Sequence, residues 1–450
     1  MALTVKQLNA DASFLLTFEP IVPESTSGIT ARPFRILLDP WITGPSTIFH
    51  SILATATHKE CPCVRSLQHL PEPDLVVISQ HKSDHCNEAT LRQLPASGTR
   101  TLILAEPAAA KVIRSWKYFD ADKVHTVPRW EGPRATGKES VVRVTVPPFS
   151  PGGEPGEVTI AFIPQRRDFK GLHAAIGITY RPPPTCPRLT HLSTPPETPA
   201  SQELGLTTSQ VSMASHKKSR NISAYLNLPT PPETPGSRSL RSVRSTASAT
   251  PASDARDRAV SVIFSPHGIS YRCLEKYADT HLEAEAALPL TALLHCFDTV
   301  SNPWWLGGNI SAGMPAGQET AAALGATAWV STHDGDKDVK GLVTKMLKTT
   351  RYTQKQVAAP SSSGQKRGDR HGRWEKAGGV EKEGKGTEVL VLGAGEEVAM
   401  TGEGVWNVES AAKALPQSWK LPEIEGILRG RERGRGLAPV DTTAKYGPRR

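Results

Sequence analysis

The loop Gln80-His-Lys-Ser-Asp84-His85 concentrates side chains that can do chemistry, and it follows directly on the apolar run Leu75–Ser79. A further histidine, His333, closes the apolar run Ala328–Thr332. Aspartate and histidine ligate divalent metals, and histidine also exchanges protons near neutral pH. A single histidine at a strand end is more often a hydrogen-bonded polar group than a ligand. The residue types alone therefore leave both interpretations open.

Short strands, with helices entering between them, must position these residues. Ser13–Phe18 and Phe34–Asp39 are apolar runs separated by a Pro/Ser/Thr/Gly turn, which predicts a hairpin. This mixture predicts an α/β sandwich rather than a parallel doubly wound sheet. Further strands are expected at Leu75–Ser79, Thr101–Leu104, Val124–Val127, Val141–Val146, Val158–Ile163, Ile176–Tyr180, Val260–Phe264, Ala292–Phe297 and Ala328–Ser331, and helices at Asn87–Leu94, Glu106–Trp116 and Ala316–Leu324.

Composition divides the chain into folding and low-complexity segments. The residues of 182–258 are rich in Ser, Thr, Pro and Arg, and such a stretch buries too little surface to offset its ordering entropy, which predicts a disordered insertion. The expected organisation is one domain in pieces: 1–181 and 259–352 as its two main parts, 353–385 as a flexible basic loop, 386–400 as a closing strand region, and 401–450 as a mostly flexible, basic tail. Ile176–Tyr180 and Val260–Phe264 are expected to pair as antiparallel strands around the insertion.

The net charge of +9 belongs to the low-complexity segments. The stretches 182–258, 351–388 and 421–450 carry +4, +4 and +3, so the remainder is slightly acidic. No aromatic-interleaved basic surface or zinc-finger spacing accompanies the charge, and we expect no nucleic-acid partner. The six cysteines form no disulfide framework, and no signal peptide or membrane-spanning run is found. A cytoplasmic location is predicted, with the nucleus as the alternative, and no membrane partner is expected.

The order of the motifs resembles the metallo-β-lactamase superfamily. Its signature loop, H-x-H-x-D-H, follows a buried strand and precedes a helix, as Gln80–His85 does here. The strand ending in Asp39-Pro and the strand ending in His333 match other family motifs. The resemblance implies an αββα four-layer sandwich, with a metal site between the two sheets at one edge.

The chain departs from the family pattern in an ordered way. Gln80 and Lys82 stand where the first two histidines of the signature are expected, and Arg167 or a neighbour stands at the third ligand of the first ion. For the second ion, the resemblance implies Asp84, His85 and His333 as ligands, with His267 in place of the bridging aspartate. One ion is therefore expected, zinc first and iron as the alternative.

The resemblance implies a hydrolase, since one Zn²⁺ lowers the pKa of its water to about 7. Asp84, Lys82 and Arg167 are the candidate catalytic residues, and the two cations favour a small anionic substrate: an ester, a lactone or a phosphoester. The alternative is a non-catalytic relative that binds a ligand or partner, with a Lys82–Asp84 ion pair in place of metal. The tandem Trp304–Trp305 forms either a substrate wall or part of the core.

The insertion carries one hexapeptide twice, Thr-Pro-Pro-Glu-Thr-Pro, at 194–199 and 230–235. The second copy places Thr230 and Thr234 four residues apart, each before a proline. It resembles the phosphodegrons that ubiquitin-ligase adaptors bind through arginine pockets, because phosphorylation adds charge that arginine pairs with. A phosphorylation-dependent adaptor is the predicted partner, and a proline-rich linker without this role is the alternative.

Overall fold

The structure is a computed structural model that describes residues 1–21, 32–47, 55–133, 137, 140–149, 152–166, 168, 170–184, 258–306, 308–341, 343–359 and 386–406. Arg167, Thr230 and Thr234 lie outside the described residues, as does most of the predicted insertion.

The elements alternate between short strands and helices. In chain order the strands are β1 (Ala2–Gln7), β2 (Phe14–Glu19), β3 (Phe34–Leu38), β4 (Ser46–Thr47), β5 (Thr55–His58), β6 (Leu75–Ile78), β7 (Leu102–Ala105), β8 (Val124–Thr126), β9 (Val142–Val146), β10 (Gly156–Pro164), β11 (Ala174–Arg181), β12 (Val260–Ser265), β13 (Ala292–His295), β14 (Thr299–Ser301), β15 (Asn309–Ser311), β16 (Ala328–Ser331), β17 (Lys337–Lys340), β18 (Lys348–Thr350), β19 (Glu388–Leu390), β20 (Glu397–Thr401) and β21 (Gly404–Val405). The helices are α1 (Glu88–Leu91), α2 (Pro107–Ser115), α3 (Tyr271–Tyr277), which a π-helical turn continues to Leu282, α4 (Gly313–Leu324) and α5 (Gln354–Ala358).

Two large sheets carry the fold. The first has the order β21-β20-β1-β2-β3-β6-β7-β8, and the second has the order β19-β16-β13-β12-β11-β10-β9. In the first sheet β3, β6, β7 and β8 are parallel, and in the second β12, β13, β16 and β19 are parallel. The carboxyl ends of parallel neighbours lie at one edge, so chains leaving them meet there.

Three apolar clusters show four layers. Side chains such as Phe14, Leu16 and Phe264 fill the space between the two sheets. A second cluster packs α3 and α4 on the outer face of the second sheet, and a third packs α1 and α2 on the outer face of the first. The side chains of β6 are all buried, as expected for a parallel strand covered on both faces. The predicted αββα sandwich is therefore confirmed.

Both predicted antiparallel pairings are present. β2 and β3 form the first hairpin, and β11 pairs with β12 from Ile176–Phe264 to Tyr180–Val260 across the insertion. The structure also has elements that the sequence patterns did not indicate: the helix α3 and the strands β1, β4, β5, β14, β15, β17, β18 and β21. The helix α5 lies at the start of the stretch predicted as a loop, and its Val357 is buried. No helix in the described ranges is both long and apolar enough to cross a bilayer.

Candidate metal centre

Asp39 anchors the edge where the first sheet's parallel strands end. β3 and β6 are neighbours, so Asp39, just after β3, meets Ser79, just after β6. The carboxylate has no exposed surface; its Oδ1 accepts the backbone N–H of Ser79 at 2.7 Å, and its Oδ2 accepts the Ser79 hydroxyl at 2.5 Å. The backbone of Asp39 has a φ of +38°, an uncommon conformation for a residue with a side chain. Such strain persists where the surrounding bonds fix it, as they do here.

His85 is oriented by Asp39. Its imidazole is fully buried, and its Nδ1 lies 2.8 Å from Asp39 Oδ2. Because a carboxylate only accepts, this contact requires a proton on Nδ1. A neutral His85 then has its lone pair on Nε2, the arrangement in which a carboxylate fixes a histidine ligand for metal.

His267 comes from the other sheet, just after β12, and faces His85. Its Nδ1 lies 3.1 Å from the backbone carbonyl of Ile310 in β15, which also requires a proton on Nδ1. The two Nε2 atoms of His85 and His267 are 3.1 Å apart. With both Nδ1 atoms protonated, two lone pairs would face each other at this distance. A cation shared by the two nitrogens, either a proton or a metal ion, removes that conflict.

His333 completes the set from the end of β16. It has a φ of +63°, and its backbone N–H donates to the carbonyl of Asp11 at 3.0 Å. Its Nδ1 lies 3.3 Å from Asp11 Oδ2 and 3.3 Å from Lys337 Nζ, while its Nε2 lies 3.9 Å from Asp84 Oδ2. Lys337 Nζ also donates to Asp11 Oδ1 at 2.8 Å. The turn between β1 and β2 therefore positions a histidine that lies more than 300 residues further along the chain.

Asp84 is the carboxylate toward which the histidines turn. Its Oδ2 lies 3.9 Å from Nε2 of both His85 and His333, and its buried Oδ1 has no hydrogen-bond partner among the described residues. One donor atom from each of Asp84, His85, His267 and His333 lies within 4.8 Å of the others. Three imidazole nitrogens and one carboxylate suit Zn²⁺ or Fe²⁺. A buried carboxylate oxygen without a partner would be satisfied by such an ion, so the residues fit a single divalent metal.

The charges within the cluster separate the pKa values of its members. Burial alone would lower the pKa of His85, but Asp84 and Asp39 outweigh it and raise that pKa. Burial, together with the neighbouring histidines, holds the pKa of His267 well below its ordinary value, and burial with Lys337 lowers that of His333. Burial opposes the ionisation of Asp84, yet His85 and His333 bring its pKa below the usual range. The raised pKa favours a proton on His85 Nε2 in the metal-free cluster, and metal binding would displace such a proton.

The other half of the signature loop has a different environment. Gln80 is buried, and its Nε2 donates to the backbone carbonyl of Leu172 at 2.7 Å. Lys82 is half-buried, and its carbonyl accepts the N–H groups of His85 and Cys86, which closes the turn. Arg167, the third residue predicted on this side, lies outside the described residues.

Three residues around the cluster were missed as site residues: Asp11, Asp39 and Lys337. The Asp-Pro pair after a strand was noted for Asp39, but its contact with His85 was not predicted. Asp11 stands in a tight turn between two strands, a place where aspartate is common for local reasons. Lys337 follows His333 by four residues with no pattern that distinguishes it from other surface lysines.

The chain was compared with models of known protein families, and the result agrees with the observed fold. Residues 34–174 match the family model of the beta-lactamase superfamily domain. The matched region runs from β3 to the start of β11 and includes Asp39, Asp84 and His85, but it ends before His267 and His333. The match supports membership of the chain in the metallo-β-lactamase superfamily. None of the curated proteins compared with the chain matches it significantly.

Proposed function

We propose that the chain is a metal-dependent hydrolase that uses one divalent ion, zinc first and iron as the alternative. The proposed ligands are Asp84, His85, His267 and His333. The observation that supports this most is the orientation of the histidines: each has its Nδ1 beside a protein group and its Nε2 within the cluster. A cluster of surface polar groups would lack these outer partners, which are a common feature of metal-binding histidines.

In this proposal the ion and the residues around it have different roles. A bound divalent ion supplies Lewis acidity and lowers the pKa of a coordinated water molecule. Asp39 and Asp11 hold the rings of His85 and His333. Asp84 is proposed to hold the ion through one carboxylate oxygen and to accept a proton from the attacking water through the other. A lowered pKa keeps the Asp84 carboxylate ionised at neutral pH, which is the form that can ligate a metal.

The proposed substrate is a small anionic ester, lactone or phosphoester. Lys82 is half-buried two residues before Asp84, where an ammonium group would attract a negatively charged substrate toward the cluster. Arg167 is proposed for the same role, since guanidinium pairs with carboxylate and phosphate through two parallel hydrogen bonds.

The metal content of the purified full chain tests the ligand set. We expect at most one equivalent of zinc or iron by elemental analysis. His85→Ala should remove it, whereas His125→Ala, which changes an exposed histidine of β8, should leave it unchanged. Two equivalents in the unmodified chain would contradict the single-ion proposal. The loaded protein is then assayed against carboxylic esters, lactones and phosphoesters, and turnover should require metal.

A non-catalytic role is the second candidate, and one contact favours it. Lys337 lies behind His333, bonded to Asp11 and 3.3 Å from His333 Nδ1, so a buried cation already offsets part of the negative charge. In this alternative the pocket binds a ligand or partner without metal. A chain that takes up no metal after incubation with Zn²⁺, and whose melting temperature Zn²⁺ does not raise, would favour this candidate over the hydrolase.

A further inference from the structure

Two adjacent tryptophans stand out on the surface. Trp304 is 87% exposed and Trp305 is 61% exposed, in a short 3₁₀ turn between β14 and β15. Of the two alternatives given for this pair, a place in the core is therefore wrong. Burying an indole is strongly favourable. Two neighbouring exposed indoles therefore indicate a surface that binds an apolar partner.

Two more exposed apolar side chains lie at the same end of the small sheet β15-β14-β18. β14 and β18 are antiparallel, with Ser301 opposite Lys348. The residues just before Lys348 therefore lie beside those just after Ser301. Met346 is 48% exposed and Leu347 is 36% exposed. We call Trp304, Trp305, Met346 and Leu347 the tryptophan patch.

Positive charge accompanies the patch. The segment 339–353 has four basic residues and no acidic one, and 299–316 has no charged residue at all. Among the described basic side chains, Lys348 is exposed directly beside the patch, whereas Lys340 pairs with Asp338 at 2.9 Å and Arg351 pairs with Asp336 at 2.6 Å. Tryptophan side chains are enriched at the level of the lipid headgroups, and a lysine beside them is attracted to anionic lipids. Apolar side chains beside an exposed lysine fit this partner better than they fit a neutral protein surface.

We propose that the tryptophan patch docks the protein on anionic lipid bilayers. This role is independent of the metal proposal. The sequence predicted no membrane partner because no segment spans a bilayer, but docking at the surface needs no span.

The patch would also bring the candidate metal centre close to the bilayer. The carbonyl of Ile310, which holds His267, is five residues from Trp305 along the chain. Five extended residues span at most about 18 Å, so Trp305 lies within that distance of the residue in β15 that holds His267.

Sedimentation of the full chain with vesicles tests the proposal. We expect binding to vesicles of phosphatidylcholine with 30% phosphatidylserine, weaker binding to phosphatidylcholine alone, and a blue shift of tryptophan emission on binding. Trp304→Ser with Trp305→Ser should weaken binding by about tenfold or more. The matched control is Trp406→Ser, because Trp406 is 39% exposed beside β21, away from the patch in sequence. It should change binding by less than about twofold.

The basic segments outside the described residues remain in every variant, so they cannot produce a difference between these two proteins. Equal binding by both variants would overturn the proposal, since the attraction would then come from elsewhere. Loss of binding by both, with unchanged circular dichroism, would overturn it as well. So would a tryptophan-dependent dimer in sedimentation velocity without vesicle binding, which would assign the patch to a second copy of the chain. Lys348→Glu should weaken binding to the anionic vesicles only.

Discussion

The two halves of the loop that follows β6 have opposite environments. Gln80, at its start, bonds to the backbone of Leu172 and so holds the loop to the scaffold. Asp84 and His85, at its end, turn toward the donors that come from β12 and β16. The loop is continuous and short, yet one half has structural hydrogen bonds and the other half has candidate ligands. A site can therefore lose the ligands of one ion without losing the turn that presents the ligands of the other.

The largest expected effect concerns the ion pair behind His333. Asp11 is fully buried and Lys337 is 14% exposed, so removing one charge leaves the other uncompensated. Asp11→Asn should lower the free energy of unfolding by about 3 kcal/mol, measured by urea denaturation. Adding Lys337→Met to Asp11→Asn should restore a large part of that loss. The exposed control, Asp122→Asn, should have little effect.

The dependence of stability on pH gives a second test of the same ion pair. Burial alone would raise the pKa of Asp11, but Lys337 and His333 outweigh it and hold the pKa well below its ordinary value. A lowered pKa means that the stabilisation is complete above the unfolded-state value of about 3.9 and is lost as the pH falls through the folded-state value. Stability of the unmodified chain should therefore fall more steeply below about pH 4 than that of Asp11→Asn. Parallel curves would show that Asp11 does not carry this stabilisation.

The next effect concerns the orientation of His85. Asp39→Asn replaces one carboxylate oxygen by an NH₂ group, which cannot accept from Ser79 or from His85 Nδ1. The affinity for Zn²⁺, measured by competition with a chromophoric chelator, should fall about 10- to 100-fold. Unchanged affinity in a variant with native circular dichroism would show that His85 needs no orientation by Asp39, or is not a ligand.

The sequence predicted most strands of the two large sheets and two of their pairings because apolar runs are local, whereas the αββα layering came from the family resemblance. The hairpin of β2 and β3 and the pairing of β11 with β12 follow from such runs and from the turn or insertion between them. The helix α5 was missed although Thr353 and Gln356 form a capping box, a signature visible in the sequence.

The outer contacts of the cluster were not predictable in the same way. Asp11 and His333 meet across more than 300 residues, and no local pattern joins them. Asp84 and His85 were proposed from the family's signature loop, and so was the combination with His333, because spacing alone cannot bring distant strand ends together. The exposure of Trp304 and Trp305 could not be predicted either, since the same apolar pair suits a core equally well.

A smaller effect is expected on the scaffold half of the loop. Gln80→Leu removes the donor to the Leu172 carbonyl while keeping an apolar side chain of similar size. The free energy of unfolding should fall by about 1 kcal/mol, the value of one hydrogen bond. Affinity for Zn²⁺ should not change, which is the opposite of the Asp39→Asn result. A variant that loses metal but keeps its stability would show that the two halves of the loop are not separable.

The smallest effect is expected from rebuilding the missing ligands. Gln80→His with Lys82→His restores the residue types of the family's signature at both positions and removes a positive charge from the loop. Replacing Gln80 removes the hydrogen bond that its side chain makes to the Leu172 carbonyl. Arg167 also still stands where the third ligand is expected. Two ligands bind a metal more weakly than three or four, so a second equivalent should be taken up only at high zinc concentration.

Elemental analysis after dialysis against graded zinc measures this uptake, with the unmodified chain as control. A tight second ion in the double variant would show that the loop can still present both sites and that residue types alone separate them. No additional uptake at any concentration would show that the backbone of the first half no longer points its side chains toward the cluster.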